Sequence, residues 1–365
     1  MRHLFVALAN LVLLTPAASS GDKAARRTAL DDSIDRALVF LHRAQENDGG
    51  WRTTGVGRSR SPQENDARGA GPKNAAITGL AVMAFLSAGH VPGEGRYGEA
   101  IEKGVRAVLK MQQANGLIGT DSGHVMYHHG ICTLMLAEVA GMTEGDLGRQ
   151  VKTALEKAVG VILKAQRTNP PHRGGWRYTT DPNSDSDISV TGWQLMALRA
   201  AKNVGCDVPP ESIDSAIKYI KSCFVPQAGG FGYMARYQSA SAACTGTSIL
   251  CLELCGKDMH HIDESLKGGS YLLKHPPRWG DVHFYYSVYY GSQAMFQLGG
   301  NYWNGYRHKL HEALMNHQHN NGSWQGGDTD AGYGPNYGTA MAILALTVEY
   351  RFLPIYQRAE EPSKK

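Results

Sequence analysis

The chain has 365 residues, 42% hydrophobic and 19% charged, with 37 basic against 33 acidic side chains. That length supplies one large core or two smaller ones. Charges of both signs are interspersed, so no basic block points to nucleic acid, and 43 glycines point to many repeated turns.

The first residues read as an export signal. Arg2 and His3 precede the apolar run Leu4–Leu14, and Pro16 to Ser20 supplies small residues for cleavage after about residue 20. The expectation is an exported, periplasmic or extracellular protein, with an uncleaved N-terminal anchor as the alternative to cleavage and peripheral membrane contact left open. Residues 21–30 read as a flexible linker, residues 31–357 as one folded domain, and residues 358–365 as a disordered tail.

Within 31–357 one pattern recurs six times. An amphipathic helix ends near a Gln, and a Gly-containing turn and an aromatic follow. The first instance is Ala37-Leu38-Val39-Phe40-Leu41, Gln45, Gly49-Gly50-Trp51. Gln112 with Gly116, Gln166 with Gly174-Gly175-Trp176, and Gln318 with Gly322-Ser323-Trp324 repeat it. Gly229-Gly230-Phe231 with Cys223 in the Gln slot, and His275 with Trp279, are looser copies. A more apolar helix follows each turn, and its start carries Thr78-Gly79, His129-Gly130, Thr191-Gly192, Thr245-Gly246, Tyr290-Gly291 or Tyr337-Gly338. Apolar residues on nearly every face predict helices buried on both sides, inside a ring of half-polar partners. The last inner helix is as apolar as the others, which an open solenoid with polar end caps would not tolerate. The expected fold is all-α, a closed (α/α)6 toroid. Thr53 to Lys73, polar and rich in Gly and Arg, reads as a surface loop.

Six cysteines occur without a C-x-x-C pair. Cys244, Cys251 and Cys255 share one helical face, as small core residues do. A Cys206–Cys223 disulfide is compatible with export.

The segment Arg36-Ala37-x-x-Phe40-Leu41-x-x-x-Gln45 followed by Gly49-x-Trp51 resembles the QW motif of squalene and hopene cyclases. Gln318 with Gly322-x-Trp324 is a second match, and Gln166 with Gly174-Gly175-Trp176 a third. The chain resembles the prenyltransferase and squalene-oxidase repeat proteins of the terpenoid-cyclase toroid superfamily over about residues 31–357. Class II cyclases of this type use a D-x-D-D motif whose second acid protonates an alkene or epoxide. Asp185-Ser186-Asp187-Ile188 carries its first two acids and has Ile188 where the third would stand. The resemblance thus implies Asp187 as acid and Asp185 as helper, a hydrophobic polyprenyl or triterpenoid ligand in the central cavity, and a cyclase-like isomerase or prenyltransferase-like activity. Prenyltransferase β-subunits hold zinc through Asp, Cys and His. Here no D-x-C pair occurs, and Cys244 with Asp281 and His283 is the nearest set, so no metal or other cofactor is expected.

In a toroid the N-termini of the inner helices ring one end of the axis. That ring predicts His128, His129, Thr191, Trp193, Tyr285, Tyr286, Tyr289, Tyr290 and Tyr337 as lining residues. Their aromatics suit a carbocation, a sugar face or simple packing. Two further readings stand beside the terpenoid one: a non-catalytic binding or scaffold protein of the cell envelope, and a carbohydrate-active toroid with a carboxylate pair across a polar cleft.

Overall fold

Alternating half-polar and fully apolar helices must form two concentric layers, because only the second kind can be covered on every side. The structure, a computed structural model, describes residues 27–53, 74–119, 123–237, 239–255, 259–326 and 332–357. Twelve α-helices follow in order: α1 (Ala29–Ala44), α2 (Ala75–Ser87), α3 (Gly98–Lys110), α4 (Val125–Ala140), α5 (Gly145–Ala165), α6 (Ile188–Asn203), α7 (Pro210–Ser222), α8 (Ala242–Cys255), α9 (Asp263–Lys274), α10 (Phe284–Leu298), α11 (Gly300–Met315) and α12 (Gly334–Leu346). A short hairpin, β1 (Phe224–Val225) with β2 (Gly230–Phe231), lies between α7 and α8. The even-numbered helices pack side by side in chain order, and α12 packs back on α2 to close the ring. Every residue of α2 is buried, whereas α3 buries one face only. The (α/α)6 toroid is therefore the observed fold.

The repeated glutamines are the seams of the ring. Each Nε2 donates to a carbonyl of its own turn and to one in the next outer helix: Gln45 to Gly49 and Ala100, Gln112 to Gly116 and Ala154, Gln166 to Gly174 and Ser212. Gln318 donates to Gly322 O at 3.0 Å and to Ser33 O at 2.8 Å, so the last repeat is sewn to the first. The indole N–H of Trp51, Trp176 and Trp324 donates to the carbonyl of Leu41, Ile162 and Leu314. The threonines at the inner-helix starts close the unit. Thr78, Thr191 and Thr339 Oγ1 accept from the backbone N–H of those tryptophans at 3.0 Å, and Thr245 does so for Phe231 at 2.9 Å. The turn glycine is required twice over: Gly174 has φ +93°, and a Cβ there would sit 2.1 Å from Ser215 O.

At the N-terminus, helix α1 starts inside the expected flexible stretch. Thr28 and Asp31 form a capping box, with Asp31 N–H on Thr28 Oγ1 at 3.1 Å and Thr28 N–H on Asp31 Oδ2 at 2.8 Å. The six cysteines are free thiols, so Cys206 and Cys223 are not bridged. The signal-like segment, most of the Thr53–Lys73 loop and the 358–365 tail lie outside the described residues. Among the described residues no helix is long and apolar enough to cross a membrane.

Candidate functional site

Two consecutive turns build a polar, aromatic patch at the N-terminal ends of α4, α6 and α8. Residues Trp176-Arg177-Tyr178 leave the third Gly-Gly-aromatic turn, and Tyr233 occupies the place two residues after Phe231 in the fourth. Their backbones pin the inner helices: Tyr178 O accepts from Met126 N–H at 3.0 Å, and Tyr233 O from Ile188 N–H at 2.9 Å. Their hydroxyls hydrogen-bond each other. The Arg177 guanidinium lies 4.4 Å over the Tyr178 ring and 5.3 Å from that of Tyr233, a cation–π sandwich. His124 packs tilted against Tyr178, with ring centroids 4.5 Å apart.

Asp187 is the N-cap of α6. Its Oδ1 accepts from Val190 N–H at 2.9 Å and from Ser189 Oγ at 2.5 Å. Its Oδ2 lies 3.2 Å from Arg177 Nη1. Burial raises the carboxyl above its ordinary value, against the opposing pull of Ser189, Val190 and Arg177. The side chain is 0% exposed, so it serves the cap and the ion pair and meets no solvent. Asp185 is different: its side chain is 42% exposed and 3.5 Å from Arg177 Nε. Behind both, the buried Arg167 donates to the carbonyls of Asp185 and Ala165 at 2.8 Å and to Ser184 Oγ, fixing the acidic turn. Ser189 Oγ also pairs with Tyr127 OH at 2.6 Å, and its carbonyl accepts from Tyr286 OH at 2.6 Å.

The other predicted lining residues divide into two groups. His128, Tyr286 and Tyr337 are part-buried at the inner-helix starts. Thr191, His129, Tyr285, Trp193, Tyr289 and Tyr290 are at most 1% exposed, and a side chain so covered borders almost no water-sized space. Thr191 serves the turn seam. His129 accepts Ile118 N–H on Nδ1 at 3.1 Å and bonds Ala158 O through Nε2 at 3.0 Å. Burial lowers its pKa to about 4, so it is a neutral brace between repeats and not a lining base. Trp193 stacks on Tyr289 with centroids 5.3 Å apart and planes 9° apart, and Tyr290 packs edge-on against both. The middle of the axis is thus packed aromatic core where the sequence suggested a lined cavity, because these rings are large enough to meet across it.

Burial pushes the Cys244 thiol up to about 12, so it stands as a neutral thiol in the core. Among the described residues no group of three His, Cys, Asp or Glu could hold a metal ion. Sequence reasoning missed Arg177, Tyr178 and Tyr233. The usable signal was an aromatic two residues after the turn aromatic in two adjacent repeats.

Comparisons with known proteins agree with this architecture. Residues 9–124 match the squalene-hopene cyclase C-terminal domain, and residues 178–274 the prenyltransferase alpha-alpha toroid domain. No curated protein matches the chain. Among solved structures, an inactive variant of an alpha-1,6-mannanase of Salegentibacter sp. HEL1_6, in complex with alpha-1,6-mannotriose, superposes with TM-score 0.64 at 14% identity, covering 87% of this chain and 99% of that one. The cellobiose 2-epimerase of Bacillus thermoamylovorans B4167 gives TM-score 0.65 at 10% identity, covering 88% and 99%. The unsaturated glucuronyl hydrolase of Bacillus sp. GL1 gives 0.58 at 11% identity, covering 89% and 97%. At such identities these likenesses speak for fold alone. The ring of six helix pairs and both toroid-domain matches support the terpenoid-cyclase and protein-prenyltransferase toroid superfamily for this chain.

Proposed function

We propose that this toroid is carbohydrate-active, with a saccharide bound at the patch formed by Arg177, Tyr178, Tyr233, Tyr127 and Asp185. The observation that carries the reading is the contrast between the two parts of the axis. Its middle is packed with Trp193, Tyr289 and Tyr290, which leaves little room for a polyprenyl chain. Its N-terminal end presents part-buried tyrosines, a guanidinium and a half-exposed carboxylate. Such a mixture suits polyols, since tyrosine rings cover the C–H face of a sugar and charged groups bond its hydroxyls. The mannanase, epimerase and glucuronyl hydrolase of like fold, each named for a sugar substrate, support the same reading. Asp185 is the carboxylate of the pair that a ligand reaches, and Asp187 positions Arg177 from behind. An export signal in residues 1–20, as read from the sequence, agrees with a role on extracellular glycans.

The test is calorimetric titration of the protein from residue 21 onward with alpha-1,6-mannotriose, cellobiose and an unsaturated uronic disaccharide, beside Tyr178→Ala and Asp185→Asn. Reducing-end release and epimerisation are followed in the same samples. Binding that Tyr178→Ala weakens at least tenfold supports the reading. Absence of binding to all three, or binding indifferent to both substitutions, overturns it.

A further inference from the structure

The opposite end of the axis, where the inner helices finish, is stopped by the chain itself. After α12, Arg351 takes φ +57° and the backbone turns inward through a 3-10 turn, Pro354–Tyr356, that packs on α6. Leu353, Ile355 and Tyr356 are 3%, 3% and 5% exposed. Gln297 Nε2, in the last turn of α10, donates to Tyr356 O at 3.1 Å. The Tyr356 hydroxyl meets that of Tyr289, eight residues back along the same helix. At 1.5 Å per residue those two anchors are about 12 Å apart. The Tyr356 ring therefore runs down the axis and ends against the aromatic core.

We propose that residues 351–357 are an internal ligand, and that the axial recess they fill is a second binding site for small phenols that carry an additional hydrogen-bond donor. This is independent of the saccharide reading. Tyr289, Gln293 and Gln297 are spaced four apart, so they form one stripe along α10 beside the tail. The tail satisfies that stripe and its surroundings only in part. Gln293 Oε1 is buried without a hydrogen-bond partner. The Glu138 carboxyl, at the end of α4 and 1% exposed, receives Ile355 N–H at a long 3.4 Å. Burial holds Glu138 up at about 8. Besides Glu138, the titratable groups that bear on the Tyr356 hydroxyl are Tyr289 of α10 and Cys251 of α8. A buried acceptor without a donor, Gln293 Oε1, disfavours the closed arrangement and favours a guest that supplies one. The tail enters through a non-glycine residue at positive φ, a conformation that costs free energy and is regained on release. Tyr356 supplies the phenol; what the recess lacks is a cationic donor beside Glu138, one that takes the place of the proton burial keeps on that carboxyl.

The experiment uses the whole protein with p-cresol and tyramine, which share the phenol and differ in the ammonium donor. In Tyr356→Ala, calorimetry is expected to show both probes bound, tyramine about tenfold tighter, with that advantage lost in the double variant Tyr356→Ala, Glu138→Gln. In wild type, tyramine is expected to speed carboxypeptidase trimming beyond Gln357 at least severalfold by displacing the tail. A folded Tyr356→Ala protein, judged by circular dichroism, that binds neither probe overturns the proposal. So does a wild-type tail whose trimming is indifferent to tyramine, and that arm decides alone if the alanine variant does not fold.

Discussion

Replacing Glu138 by Gln is expected to change how stability depends on pH. Glu138 lies at the inner end of α4, and burial raises its pKa from 4.5 to about 8. A carboxyl held above its unfolded value binds its proton more tightly when folded, so its contribution is complete below pH 4.5 and is lost as pH rises through about 8. At 1.36 kcal/mol per pH unit the loss across that window is on the order of 5 kcal/mol. A domain stable by about 5–15 kcal/mol would register it clearly. Gln keeps the shape and can accept Ile355 N–H, yet it has no proton to lose. Urea unfolding of wild type and Glu138→Gln at pH 5, 6.5 and 8.5 measures the difference directly. Near pH 5 the two should agree within about 1 kcal/mol, the size of one modest hydrogen-bond change. By pH 8.5 the variant should be the more stable by several kcal/mol. Parallel pH profiles would refute the argument, because they would mean that the carboxyl is hydrated or paired when ionised.

Acidification should act through His129, whose pKa is lowered from 6.5 to about 4 by burial. Its neutral form is the folded one, so stability is lost as pH falls from 6.5 to about 4, by roughly 3 kcal/mol, and His129→Gln should flatten that limb of the unfolding profile. Gln318→Ala removes the side-chain bonds to the Ser33 and Gly322 carbonyls and opens the last seam, a cost of about 1–3 kcal/mol read from the shift in urea midpoint. Gly174→Ala forces a Cβ to within 2.1 Å of Ser215 O at positive φ and should leave little folded protein, whereas Gly160→Ala, with nothing within 4 Å, should be neutral or slightly stabilising by thermal melt.

The predicted and observed structures agree where the determinants are local and repeated. Gln, Gly and an aromatic recur from repeat to repeat because most repeats solve the same problem, the backbone groups of a turn wedged between two outer helices. Thr191 illustrates both the strength and the limit of that pattern. Its place in the ring of Thr-Gly starts located it at the head of α6, but only its bond to Trp176 N–H shows that it holds the turn instead of facing a ligand. Asp185 and Asp187 were legible as a spaced acid pair that resembles the first two acids of D-x-D-D, whereas their different exposure was not. Both precede α6, Asp187 as its N-cap and Asp185 two residues earlier, and the turn that carries them buries Asp187 and leaves Asp185 half exposed.

By itself the sequence determined the layers, the number of repeats, the seams and the closure of the ring. All of these follow from periodicity and from residues close together along the chain. Only the tertiary structure decided what occupies the axis. That depends on ring sizes meeting across the toroid, on Arg177 reaching between two turns, and on Tyr356 arriving from 67 residues beyond Tyr289. Such encounters are fixed by the way six wedges close around a point, and no window of sequence contains them.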